Sequence, residues 1–193
     1  MSKTLITGTG RSGTSFLVHL LSALGMDTGY TEEECYNELQ NGCKGGCEHT
    51  IEKPYAILKN PEFMVNIETI IKVNDIKHVI IPVRDLKSVG KSRENNALNH
   101  GGYGGFWNDC DNIEDQMTKD SKAFYNMISV LSEYKVPFTT ISFPRMAKDS
   151  LYLHNKLREV FYNECNNMFN NAQYTIDFYK TFHRIADTKK ITF

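Results

Sequence analysis

The stretch that most constrains the fold is Thr4 to Leu21. A short apolar strand, Thr4-Leu5-Ile6, runs into Gly8-Thr9-Gly10-Arg11-Ser12-Gly13-Thr14-Ser15 and then into a helix. In that helix Phe16, Leu17, Leu20, Leu21 and Leu24 recur at helical spacing, and Gly25 is placed to end it. A strand, a glycine-rich turn and a helix start together aim backbone N–H groups and the positive end of a helix dipole at one point. Such a turn suits a multiply charged anion. The plain alternative is a glycine turn in front of a buried helix.

The spacing matches a P-loop in part. Gly8 and Gly13 fall where that pattern wants glycines and Ser15 takes the Ser/Thr position, but Thr14 stands where the lysine belongs. The loop's basic residue is Arg11. In nucleoside triphosphate enzymes the lysine bridges the terminal phosphates and the hydroxyl holds magnesium, so its replacement argues against an ATPase or a kinase. A planar, permanently charged guanidinium suits a different anion.

The rest of the chain sets the frame. Its 193 residues predict a single domain over 1–193. With 22 basic and 23 acidic residues there is no charge excess to draw in nucleic acid or an anionic membrane, so an anion site has to be local. The amino terminus shows no signal-peptide apolar region and no stretch is long enough to span a bilayer, which predicts a soluble, cytoplasmic protein. Five cysteines (Cys35, Cys43, Cys47, Cys110, Cys165) are too sparse for a disulfide scaffold and are expected as thiols.

Further strands are predicted at Tyr55–Leu58, His78–Val83 and Val136–Ile141. Helices are predicted after Pro61, from Arg84-Asp85 through Ser92, from about Ile113 to Tyr134, and through most of the remainder. Pro82 is unusual within a central strand. Thr31 and Glu34 have the spacing of a helix capping box. Strands alternating with helices predict an α/β fold, a three-layer P-loop NTPase-like domain with a central parallel sheet flanked by helices. Arg11, Lys59 and Arg84 each follow a different strand, so that fold sets all three on one rim.

Two loops are less legible. Gly42 to His49 offers Cys43, Cys47 and His49, but the spacing is a poor match to zinc fingers or ribbons, and no metal site is expected. Asn99 to Asp109 carries Tyr103, Phe106 and Trp107, which either stack on a ligand or fold down as a lid over the core.

The loop Gly8-Thr9-Gly10-Arg11-Ser12-Gly13-Thr14-Ser15 resembles the 5′-phosphosulfate-binding loop of sulfotransferases that use 3′-phosphoadenosine 5′-phosphosulfate (PAPS). Arg84 and Ser92, eight residues apart, are similar to that family's 3′-phosphate clamp, and forked arginine donors with a serine two helical turns on make physical sense for phosphate. Lys59-Asn60-Pro61 resembles the Lys-x-Pro of the tyrosylprotein branch, where the lysine assists the leaving oxygen. Glu32, with Glu33 next, resembles the base of that branch. Leu86 replaces the family's usual Pro, and the carboxyl-terminal Arg-Lys-Gly loop of the cytosolic branch has no counterpart.

The resemblance implies a PAPS-dependent sulfotransferase acting on a small-molecule, carbohydrate or peptide acceptor. It implies catalytic roles for Glu32, Lys59 and Arg11. It also implies cofactor contacts from Gly8, Gly10, Arg11, Ser12, Gly13, Thr14, Ser15, Arg84 and Ser92. A sulfuryl group carries less charge than a phosphoryl group, so lysine, arginine and backbone donors can stabilise its transfer without a divalent metal. The competing expectations are a small nucleotide kinase with a degenerate loop, which would need magnesium and turn over ATP, and a non-catalytic nucleotide-binding module.

Overall fold

The computed structural model describes residues 2–41, 46–100, 110, 112–161 and 171–186. Strands β1 (Lys3–Ile6), β2 (Ile57–Lys59), β3 (Ile76–Val83) and β4 (Phe138–Ser142) form one sheet in the order β2-β1-β3-β4. Every neighbouring pair is parallel. Parallel strands need long crossovers, and helices supply them. The helices are α1 (Thr14–Ala23), α2 (Glu32–Asn41), α3 (Phe63–Val73), α4 (Leu86–His100), α5 (Ile113–Glu133), α6 (Ser150–Phe161) and α7 (Ala172–Ala186). The predicted α/β class with a parallel sheet between helices is what the chain forms.

Both faces of the sheet are covered, because alternate strand residues feed different cores. Ile6, Ile57, Ile80 and Ile141 pack with Phe16, Leu17 and Leu20 of α1, Leu153 and Leu157 of α6, and Phe178 and Phe182 of α7. Leu5, Leu58, Val79 and Ile81 pack with Met64 and Ile67 of α3 and Met127, Val130 and Leu131 of α5. Thr31 caps α2 through its hydroxyl, which accepts from the Glu34 N–H at 3.2 Å, while Glu34 Oε2 accepts from the Thr31 N–H at 2.7 Å. This is the reciprocal pair predicted from sequence. Helix α4 runs on to His100, past the predicted end at Ser92.

Pro82 fits β3 for a reason that register supplies. β1 pairs with β3 only as far as Ile80, and the Thr7 N–H donates to the Ile80 carbonyl at 3.1 Å. Residues 80 and 82 face the same neighbour, so the missing N–H of Pro82 falls at the level of Thr7, one residue past the end of β1, and no rung of the paired stretch is lost. Gly8 takes that place. Its φ is +149°, and a Cβ there would come within 3.2 Å of the Pro82 carbonyl oxygen, so only glycine lets the chain turn away this close to β3.

Among the described residues no helix is long and apolar enough to cross a membrane.

Candidate functional site

The chain runs outward from β1 through β2, then crosses back over β1 to β3. The strand order therefore reverses between β1 and β3, and ligands of open α/β sheets bind at the carboxyl ends of such a pair. Here the β1 end leads into the glycine loop and the β3 end into Arg84. Gly10 and Arg11 have φ of +68° and +49°, and Gly13 has +91°. A side chain at Gly13 would collide with Met146 and come within 2.7 Å of Phe143. Gly13 is also the cap residue of α1 and has no side chain to bond the first-turn N–H groups, which an α-helix leaves without internal partners. Ser12 lies within the loop, fully buried, and its hydroxyl has no hydrogen-bond partner among the described residues.

Arg84 turns in over this loop. Its Nη1 donates to the Arg11 carbonyl at 3.0 Å, and its guanidinium lies 5.1 Å from the centre of the Phe143 ring. Arg11 in turn donates from Nε to Ser92 Oγ at 3.1 Å. Three residues singled out in sequence, 73 and 81 positions apart, therefore meet directly. Asp85 opens α4 by accepting the Ser88 N–H at 2.8 Å, and that bond holds its carboxyl below the usual carboxylate range.

Lys59 ends β2 and is fully buried. Its Nζ donates to the Gly46 carbonyl at 3.1 Å and to Glu48 Oε1 at 3.2 Å. The same Gly46 carbonyl accepts from Ser15 Oγ at 3.3 Å, which ties Lys59 to the first turn of α1. Burial pulls the Lys59 ammonium below its ordinary pKa, and the Glu48 carboxylate works against that shift. The segment from Gly46 to His49 also closes on the strand's backbone. The His49 N–H donates to the Lys59 carbonyl at 2.8 Å, and His49 Nδ1 accepts from the Lys59 N–H at 3.0 Å. Burial holds the His49 imidazole below its usual pKa.

Glu32 is not brought to this cluster. It lies on the first turn of α2, before Cys35, whose Sγ is 3.5 Å from Ser22 Oγ near the carboxyl end of α1. Ser22 is seven residues beyond Ser15, about 10 Å of helix. Both Nη atoms of Arg184 on α7 hold the Glu32 carboxylate. An ion pair to a helix far along the chain thus occupies the carboxylate of the acidic cluster's first residue, while Glu34 is used as a cap.

Three residues at or behind the site escaped the sequence reading: Arg93, its partner Asp120, and Glu48. Arg93 of α4 is 1 % exposed, donates to Asp120 of α5 from Nη1 at 2.8 Å and from Nη2 at 3.2 Å, and also donates from Nη2 to the Thr9 carbonyl of the glycine loop. The signal was its spacing: Val89, Gly90 and Arg93 share one face of α4, and both Val89 and Gly90 are buried. The second carboxylate missed was Glu48, for the loop around it had no readable pattern.

Cys47 and His49 are described, whereas Cys43 and the aromatic residues Tyr103, Phe106 and Trp107 lie outside the described residues. Among the described residues no group of three or more His, Cys, Asp or Glu side chains is arranged to hold a metal. No protein-family model matches the chain, and neither a curated protein nor a solved structure shows significant similarity to it.

Proposed function

We propose that this chain is a PAPS-dependent sulfotransferase with a P-loop-like domain, moving a sulfuryl group to an acceptor hydroxyl or amine. The observation that carries the reading is the contact between Arg11, Arg84 and Ser92 at the strand ends where the sheet order reverses. A basic, glycine-lined turn with an unbonded buried hydroxyl at Ser12 fits a strongly anionic group. The donors from Gly8 to Ser15 bind the 5′-phosphosulfate in this reading, and Arg84 with Ser92 binds the 3′-phosphate. The acceptor oxygen or nitrogen bonds to sulfur as the bond from sulfur to the bridging oxygen breaks. Lys59 stabilises the charge that develops on that oxygen.

The acceptor's proton goes to a carboxylate. Glu32 takes that role on the family resemblance, and its ion pair with Arg184 must then open. Glu48 is the carboxylate already beside Lys59, with its side chain 43 % exposed, and geometry favours it as the second assignment.

Calorimetric titration with adenosine 3′,5′-bisphosphate and with ADP, each with and without magnesium, tests the binding half. The expected outcome is tighter binding of the bisphosphate, unchanged by chelator, and a loss of about 1.5–3 kcal/mol in Arg84→Ala. A strict magnesium requirement with ATP turnover would instead establish the nucleotide kinase. Single-turnover transfer from PAPS in Glu32→Gln and Glu48→Gln then identifies the base, whose loss lowers the rate by about 10²- to 10⁴-fold. Tight binding with no transfer to any acceptor would leave a binding module.

A further inference from the structure

Cys35 and Cys47 lie twelve residues apart in sequence and meet in the core. Both are fully buried free thiols, and Cys47 Sγ donates to Cys35 Sγ across 3.2 Å. Ser22 Oγ lies 3.5 Å from the same Cys35 sulfur. A disulfide needs the sulfurs about 2.05 Å apart, so closing this pair takes a movement of about 1 Å. The backbone brings Cys47 into place independently of its sulfur: its N–H donates to Glu38 Oε2 at 2.9 Å, and its φ of +65° is a conformation that residues other than glycine seldom adopt. Cys35 sits one turn earlier than Glu38 on the same helix, so the two ends of the contact are α2 and the segment that holds Lys59.

We propose that Cys35 and Cys47 form a reversible thiol–disulfide site, oxidised by a low-molecular-weight disulfide of the glutathione class. The Cys35 thiolate attacks one sulfur of the small disulfide, forming a mixed disulfide and displacing the first small thiolate, which takes up a proton. Cys47, after losing its own proton, attacks the Cys35 sulfur and displaces the second. The protein loses two electrons and two protons, and the small disulfide becomes two thiols. Hydrogen bonds from Cys47 and Ser22 hold the Cys35 thiol below its ordinary pKa, whereas donation to Cys35 and burial push Cys47 up, so Cys35 is the attacking sulfur. Both sulfurs are covered, so exchange proceeds when the short segment around Cys47 opens locally.

The consequence reaches the strand-end cluster through two residues adjoining Cys47. The Gly46 carbonyl and the Glu48 carboxylate are both bonded to Lys59 Nζ. A covalent link from Cys47 to α2 pins the segment that presents them. The site rests on thiol geometry alone and is independent of the sulfuryl-transfer reading.

The test uses the full chain equilibrated with mixtures of reduced and oxidised glutathione, quenched in acid, alkylated and digested with trypsin. Cleavage after Lys44 separates the peptide of residues 12–44, which holds Cys35 and Cys43, from that of residues 45–59, which holds Cys47. The expected result is a linked pair of these peptides, two hydrogens lighter than their sum, with Cys110 still alkylated. The link is retained in Cys43→Ser, lost in Cys35→Ser and Cys47→Ser, and reversed by reduced glutathione. Amide exchange at His49 and Lys59 slows in the oxidised chain. A link that persists in Cys35→Ser or vanishes in Cys43→Ser overturns the pairing. So does a chain that collects glutathione adducts without an internal link.

Discussion

Arg93 and Lys59 are both closed off from solvent, at 1 % and 0 % exposure, and both bond to the glycine loop or to a carbonyl shared with the helix that follows it, yet their charges are met differently. Arg93 faces Asp120, itself 1 % exposed, through two hydrogen bonds, so cation and anion are enclosed together. Lys59 faces a neutral carbonyl and the half-open side chain of Glu48. An enclosed pair has already spent its electrostatics on the fold, and it fixes Thr9 and hence the loop. A buried cation paired with a carboxylate that reaches solvent keeps a field that another anion can share. The first arrangement serves the fold, and the second is the one that the proposed function draws on.

Breaking the enclosed pair should have the largest effect. Asp120→Ala leaves a buried guanidinium without its counter-charge, which costs about 3–5 kcal/mol. Urea denaturation reads this as a lower midpoint with an unchanged slope. A loss below about 1 kcal/mol would erase the distinction between the two cations.

Lys59→Met sharpens the contrast from the other side. Glu48 is already 43 % exposed and keeps its access to solvent when an unbranched apolar chain replaces the ammonium, so Lys59→Met costs much less stability than Asp120→Ala, while sulfuryl transfer, under the proposed function, falls. Its pH signature is specific. Burial lowers the folded pKa of Lys59, so in the window from that lowered value up to the ordinary lysine value of about 10.4 the unfolded chain binds more protons. Stability contributed by this residue therefore rises with pH through that window. Urea unfolding at a series of alkaline pH values should show the slope in the wild type and in Asp120→Ala, and a flatter one in Lys59→Met.

The smallest effect supplies a baseline in which no charge is buried. Thr31→Ala removes a helix cap, a loss of about 1 kcal/mol. Hydrogen bonds from Thr31 hold the Glu34 carboxyl below its usual range. That contribution is present above the unfolded carboxylate pKa and is lost as pH falls through the folded value. The variant's acid limb should be shallower when followed by circular dichroism.

The alternation of strands and helices was legible because each element repeats its signal over several residues, and Thr31 with Glu34 was legible because a capping box is local. Arg84 and Ser92 were readable as a strand-end residue and a position in the helix that follows, and it is the parallel sheet that carries Arg11 to meet them. Arg93 was hidden because its partner Asp120 lies 27 positions on, in the next helix, and an isolated arginine in a polar helix looks like a solvated one. Glu32 shows the same limit from the opposite direction. Its ion pair with Arg184 spans 152 positions and leaves no trace in local spacing. Lys59 was placed correctly at a strand end, but its burial comes from Gly46 to His49, a segment with neither helical nor strand periodicity.

Strand β1 has four residues and β3 has eight, and beyond Ile80 the longer strand is paired with β4 alone. Were residue 82 any amino acid but proline, its N–H would point at the Thr7 carbonyl and offer the next rung of the ladder, inviting β1 to zip onward along its neighbour. Pro82 cannot make that offer. The notch between the two strands is thus guarded from both sides, by a glycine that permits the chain to leave and a proline that gives it no reason to stay.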